Sequence, residues 1–433
     1  MLGKAILDEK RYITELILSL RMECKSPIEG ISCFLSRFGQ KYSSVGYISG
    51  LLQSIGTLLP SIQTTNCEVL RVVFCSDEVF SKGAAILITV EPKSLAILSI
   101  ELCENRKGES WEKHWTGLLE AGYIPFLLCN DEGTGMARAQ KEVLPMTTRQ
   151  SDTFHAISHR LGVLVERFEK AAFGAIEALY ESERLVNSSK TSATWNKRFD
   201  QYIKKKTACD AAIRLSDSFT FLYHCLLEQL QLFDNQGVFK NITQVLADFD
   251  TALDYLIGLQ QSAVTQQVKS IQACKGELFQ FREMAKGIVA QLSDFMPIQT
   301  LQTLCLAWQT QKNSINAKEP LRKNTLKRKE LHLLNTIKAQ EGEENSALKT
   351  LVYTQLAEIV QSSAAVECIN SILRPYLNAA KNQVTQHFLN LFMAYHNHRR
   401  FKAGVRKGKT PFELLSGQTQ HKDWVEIILD CVA

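Results

Sequence analysis

The sequence is short of the features that would assign it at a glance. Twelve cysteines are scattered along it, yet none forms a Cys-x-x-Cys pair or joins a histidine at zinc-ligand spacing, which excludes the common zinc modules. No apolar run approaches the roughly 20 residues that span a bilayer, and the N-terminal stretch lacks a leader pattern. The cysteines therefore read as reduced core thiols of a cytosolic protein. A strong charge of one sign is missing too: the formal net charge is only +5, so whole-chain charge does not by itself imply a polyanionic partner. Gly133-Thr-Gly135 lacks the lysine and the further glycine of a phosphate loop.

What is present is a run of short apolar segments between Leu70 and Asn130. Leu70-Arg-Val-Val-Phe-Cys75 is a β-branched and aromatic run, the apolar runs Ala84–Val90 and Ser94–Glu101 follow, and turn chemistry such as Glu91-Pro92-Lys93 separates them. A helix with Trp111, Trp115, Leu118 and Leu119 on one face follows, and then a fourth strand, Tyr123–Cys129. Acids close two of these strands: Ser76-Asp77-Glu78 after the first and Asn130-Asp131-Glu132 after the fourth. If those strands are neighbours, Asp77 and Asp131 face one point, and two facing carboxylates suit a hard cation such as Mg²⁺ or Mn²⁺. Acids after strands also serve as turn residues and helix caps, and that reading stays open.

Residues 1–65 read as a small helical unit. Ser26-Pro27-Ile-Glu29 opens its second helix, and Ser43 or Ser44 opens a third with Val45, Ile48, Leu51, Leu52 and Ile55 at helical spacing. This is the layout of a helix-turn-helix, whose last helix would present Ser44, Tyr47, Ser49 and Gln53 to a DNA groove; packing or oligomerisation is the alternative. From about 156 to 345 apolar residues recur at three and four, strands are hard to find, and roughly six to eight helices are expected. Two basic clusters there, Lys197-Arg198 with Lys204–Lys206 and Arg322-Lys323 with Lys327–Lys329, are solvated faces or phosphate contacts. Asp152 and His155 follow a suspected fifth strand, with Asp152 either a cap or a metal ligand.

A helix from Ala364 to Pro375 then sets Glu367, Asn370, Ser371 and Arg374 on one face and Val366, Ile369 and Leu373 on the next. Beyond it, Tyr395 to Lys409 holds Arg399, Arg400, Lys402, Arg406, Lys407 and Lys409 and no acid. A glycine-bearing, uniformly basic and mobile segment beside a carboxylate site is suited to a polyanion.

These residues together resemble the DDE transposases of bacterial insertion sequences, members of the retroviral-integrase-like group built on the ribonuclease H fold. Asp77, Asp131 in Leu-Leu-Cys-Asn-Asp-Glu-Gly, and Val366-Glu367-Cys-Ile-Asn370-Ser371 carry the resemblance. The tail Tyr395-His-Asn397-His-Arg399 with Thr410-Pro411-Phe412-Glu413 reinforces it. The resemblance covers about 70–155 and 346–417. It departs from the compact members in the long separation of Asp131 from Glu367, which an inserted helical domain would explain.

The resemblance implies an α/β ribonuclease H-like core, residues 66–155 and 346–417, interrupted by an all-α insertion (156–345) and followed by a C-terminal helix (418–433). It further implies a catalytic and metal-binding triad of Asp77, Asp131 and Glu367 around two Mg²⁺ or Mn²⁺ ions, with no covalent protein intermediate. Asn370, Arg374 and the basic tail would bind DNA, the ends and target being held by a homodimer or larger assembly in the bacterial cytoplasm near the nucleoid. An inactive DNA-binding protein on the same fold, or a nuclease that cuts without joining, stays open.

Overall fold

The computed structural model describes residues 2–66, 69–131, 133–342, 345–381 and 383–431. They fall into two compact units, one made of residues 1–150 with 362–433 and the other of residues 151–361. Among the described residues, no helix is long and apolar enough to cross a membrane.

The first unit is built on a five-stranded sheet of order β3-β2-β1-β4-β5. Strands β1 (Leu70–Ser81), β2 (Ala84–Glu91) and β3 (Ala96–Cys103) form an antiparallel meander, while β4 (Tyr123–Asn130) runs parallel to β1, with β5 (Thr148–Ser151) outside it. This mixed sheet with helices fits a ribonuclease H-like core. One expectation is corrected: β1 does not stop at Cys75. Its second half, Cys75 to Ser81, pairs rung by rung with Val90 to Ala84, and the strands join through Lys82 and Gly83, both at positive φ (47° and 88°). That turn favours a residue pair ending in glycine, and it carries the strand straight through the acids.

Each face of the sheet has its own core. On one lie Trp111 and Trp115 of α4 (Gly108–Glu120) and Met136 and Ala139 of α5 (Thr134–Val143), packed on Val72, Phe74, Leu87 and Leu128. On the other, Val79, Ile86, Ile88 and Val90 meet three N-terminal helices, α1 (Leu2–Met22), α2 (Ile28–Arg37) and α3 (Val45–Leu58). The same core takes in α14 (Ala364–Ala379), α15 (Gln386–His398) and α17 (Trp424–Asp430). The N-terminal helices are thus part of the core packing. Helix α3 lies so close to α15 that a Cβ on Gly56 would sit 2.1 Å from the His387 carbonyl oxygen.

The second unit is helical: a π-helical turn (Phe154–His159) leads into α6 (Arg160–Asn187) and α7 (Ser192–Gln229). Then come α8 (Ile242–Gly258), α9 (Ser262–Leu278), α10 (Phe281–Ser293), α11 (Ile298–Asn316), α12 (Pro320–Glu341) and α13 (Asn345–Leu356). It begins earlier and ends later than the stretch 156–345. Its core is continuous from Ala156 to Ile359. The cysteines are not all core residues: among the eleven described, Cys24, Cys33, Cys368 and Cys431 are exposed, and none is bridged.

Strand β3 is an edge: Ser61 to Gln63 bridge it at Leu98 to Ile100, and amide side chains of α15 cover backbone groups on either side. Asn397 accepts from the Ile97 amide (2.9 Å) and donates to the Ile97 carbonyl (2.8 Å) and to Gln63 Oε1 (2.9 Å). Gln386 does the same at Leu102 (2.7 Å) and Ile100 (2.9 Å). An amide presents one donor and one acceptor, the pattern a further strand would offer. Replacing Asn397 by Leu strands three buried polar groups, so Asn397→Leu is expected to cost about 3 kcal/mol of stability. A urea titration showing under 1 kcal/mol would refute that role.

Candidate active site

Parallel pairing of β1 with β4 sets the site. The last paired rung is Cys75 with Cys129, so Asp77 and Asp131 each stand two residues beyond it at the same edge of the sheet. Asp77 is inside β1, opposite Ile88 of β2, whereas Asp131 follows the end of β4. There Asp131 also does what a turn acid does: its Oδ1 accepts from the Gly133 amide (2.9 Å). Arg149 steadies the same corner by donating to the Asp131 carbonyl (2.9 Å) and to Asn130 Oδ1 (3.0 Å).

Helix α14 packs on β1 and β2 and supplies the remaining groups. It runs through Pro375 to Ala379, past the expected end. Its polar face is split by burial: Asn370 is buried with Val366, Ile369 and Leu373, Glu367 is half-buried, and Ser371 and Arg374 are exposed. Asn370 Nδ2 donates to Asp77 Oδ2 at 2.8 Å, while its Oδ1 is buried without a hydrogen-bond partner. Asn370 is therefore a carboxylate partner inside the protein, which corrects its expected place as a DNA contact.

Electrostatics tie the acids together. Burial pushes the Asp77 carboxyl up to about 8; a bond from the Glu78 amide opposes this, and the negative charges of Glu367, Glu78 and Asp131 add to it, in that order. Glu78 is likewise raised by burial, against a charged hydrogen bond from Arg106. Arg106 is largely exposed, with its guanidinium 5.5 Å from the Phe80 ring centre. Glu78 and Arg106 were not legible as site residues: Glu78 reads as part of a strand-end turn, and nothing in Asn105-Arg106-Lys107 marks a motif.

The carboxyls of Asp77, Glu78, Asp131 and Glu367 and the carbonyl of Asn370 are oxygen donors, the set a hard divalent ion takes. An acid held protonated by burial and by like charges, beside an unpartnered buried amide oxygen, is what a cation would relieve. The residues thus fit Mg²⁺ or Mn²⁺ in kind. Among the described residues, however, no three His, Cys, Asp or Glu side chains stand together as a closed metal cage.

The other expected contacts divide. Ser44 spends its hydroxyl capping α3, accepting from the Tyr47 amide; Tyr47 lies beside Tyr42 with the rings tilted by 31° and its hydroxyl buried, and Gln53 is exposed. Helix α3 carries no Lys or Arg. In the tail, the expectation of a loose, uniformly basic segment is corrected. Phe401 and Lys409 close a turn by backbone bonds, and two of its arginines are spent within the protein. Arg400 donates to the Gly408 and Gln420 carbonyls and to Glu413, and Arg406 donates to the Lys93 and Pro92 carbonyls. Burial would raise the Glu413 carboxyl, but bonds from the Gln420 and Thr410 amides and from Arg400 outweigh it and hold it low. Arg399 lies over the Tyr395 ring (5.3 Å), leaving Lys402, Lys407 and Lys409 exposed to solvent. In the helical unit, Asp152 caps the π-helical turn, accepting from the Phe154 (2.7 Å) and His155 (3.0 Å) amides.

No family model matches the chain, and no curated protein matches its sequence. Among solved structures, the chain is similar to one described as the Drosophila P element transposase strand transfer complex. The two are 10% identical, the match covers 78% of this chain and 93% of that one, and the TM-score is 0.25. A likeness that weak transfers nothing to this chain.

The sign of the Asp77 shift gives a test. Unfolded, an aspartate loses its proton near pH 4; folded, Asp77 keeps it to about pH 8. The metal-free fold therefore loses stability as pH rises between these values, and Asp77→Asn removes the loss. In the presence of EDTA, Asp77→Asn is expected to melt roughly 2–4 °C or more above wild type at pH 8, on the order of at least 1 kcal/mol, and level with it near pH 4. A variant less stable than wild type at pH 8 would show that the carboxyl is not strained.

Proposed function

We propose that the chain is a DDE transposase, cutting the ends of a DNA element and joining the freed 3′-hydroxyls to target DNA. The observation that carries this reading is that Asp77, within β1, and Asp131, just past the end of the parallel strand β4, share one edge of the sheet, with α14 packed on β1 and β2, its Asn370 bonded to Asp77 and its Glu367 charge acting on it. In this reading Asp77, Asp131 and Glu367 hold two divalent ions. Those ions, when bound, would supply activation of the attacking oxygen and charge stabilisation at the leaving one.

The chain's own groups do the positioning. Asn370 fixes the Asp77 carboxyl through Oδ2. Glu78 holds the Arg106 guanidinium beside the acids, where it can meet a phosphate oxygen in a fork geometry. Arg374, Lys402, Lys407 and Lys409 are exposed cations suited to holding DNA backbone, a role Arg400 and Arg406 give up to the fold. One acidic site would serve both hydrolysis and strand transfer, since each is attack by an oxygen on a phosphodiester.

Strand joining is the decisive assay. Wild type with Mg²⁺ and a labelled duplex carrying the ends of the element flanking its gene is expected to yield joined product. Asp131→Asn should reduce it by at least 10³-fold while still binding DNA, the loss typical for removal of a metal-ligating acid of this kind. Cutting without joining would replace the reading by a nuclease. Binding without cutting would replace it by an inactive DNA-binding protein.

A further inference from the structure

Neighbouring residues of a strand point to opposite faces of the sheet, so Asp77 and Glu78 leave β1 on different sides. Asp77 meets Asn370 of α14, and Glu78 meets Arg106, which stands two residues before α4. The two ends of that second pair are unequally exposed: the Glu78 side chain is 6% exposed and the Arg106 side chain 60%. A carboxylate buried to that degree among other acids needs a cation, and the fold reaches into solvent for one.

The loop that carries Arg106 is fixed from both sides. Asn105 Oδ1 accepts from the Lys107 amide (2.9 Å) and the Ser110 hydroxyl (3.3 Å), which closes the loop onto the start of α4. Its backbone lies against α5 at Gly135, where a Cβ would sit 2.3 Å from the Arg106 carbonyl oxygen. Gly135 follows Asp131 by four residues, and Asp131 is itself tied to that turn through the Gly133 amide (2.9 Å). The turn after Asp131 and the loop of Arg106 are therefore in backbone contact. From there the guanidinium charge reaches Asp131 and Asp77 as well as Glu78.

How tightly an acidic corner holds a divalent ion depends on its net charge. Glu78 bonded to Arg106 adds none, whereas losing either partner would shift the corner by one charge, in opposite directions. We propose that the Glu78–Arg106 pair is a built-in counter-charge that sets the metal affinity of this corner, a role that rests on the reading of Asp77, Asp131 and Glu367 as metal ligands. In the metal-free chain Arg106 offsets the buried acids; when an ion arrives, the same positive charge opposes it and keeps its binding weaker than the acids alone would give.

A charge cycle tests this in Mn²⁺ binding to the full chain, measured by calorimetry without DNA or turnover. Arg106→Gln is expected to bind Mn²⁺ about tenfold more tightly than wild type, and Glu78→Gln about tenfold more weakly. The double variant should return to within about threefold of wild type, and Arg106→Lys, which keeps the charge, should match it. A pair that only supported the fold would lack this opposition of sign, since loosening the corner weakens binding whichever partner is lost. Arg106→Gln binding Mn²⁺ no more tightly than wild type overturns the proposal, and so does a double variant that fails to return. Asp131→Asn separates that failure from a failure of the metal reading. If Mn²⁺ binding is indifferent to Asp131, the ion is held elsewhere and both fall; if it needs Asp131 but ignores Arg106, the counter-charge alone falls.

Discussion

Parallel pairing between β1 and β4 is the constraint on which the rest of the first unit depends. Antiparallel neighbours would put the ends of the two strands at opposite edges of the sheet; parallel neighbours bring them to one edge. Here the shared edge gathers Asp77 and Asp131. The pairing also ends there, because β1 goes on with β2 alone while β4 turns away. Where the two strands part, the backbone opens a notch, and α14, packed on β1 and β2, sets Asn370 against Asp77 beside it. Burial and like charge at that notch cost stability, which is the common mark of a site kept for something other than folding.

The sheet was legible because its strands are apolar runs bounded by turn residues, and α14 because polar and apolar positions separate at helical spacing. The end of β1 was not. Ser76-Asp77-Glu78 reads as a turn, and only pairing with β2 shows that acids continue the strand. The same limit applies to Asn370, which looks like one more residue of a polar stripe. What buries it is the sheet beneath, a neighbour almost 300 residues away in sequence. Arg106 and Glu78 carry no local pattern at all.

The tail was legible as a motif but its chemistry was read differently. Uniform positive charge suggested a nucleic-acid contact, yet the donors of Arg400 and Arg406 go to carbonyls and to Glu413. Composition reports how much charge a segment has; it does not report how much of it the fold consumes. Arginine is prone to this error, since five donors on a planar group suit carbonyl clusters as well as phosphates.

The cover on β3 has a consequence in time. Ile97 and Leu102 wait for Asn397 and Gln386, some 300 and 284 residues later in the chain. At the usual 5–20 residues per second of synthesis, that interval is roughly 15 to 60 s. Throughout it the nascent meander holds a strand edge that Ser61 to Gln63 cover only at Leu98 to Ile100, while a separate helical unit is made. The newborn chain is therefore at its stickiest midway through translation, and its yield in a cell depends on whatever shields that edge until the last helices emerge.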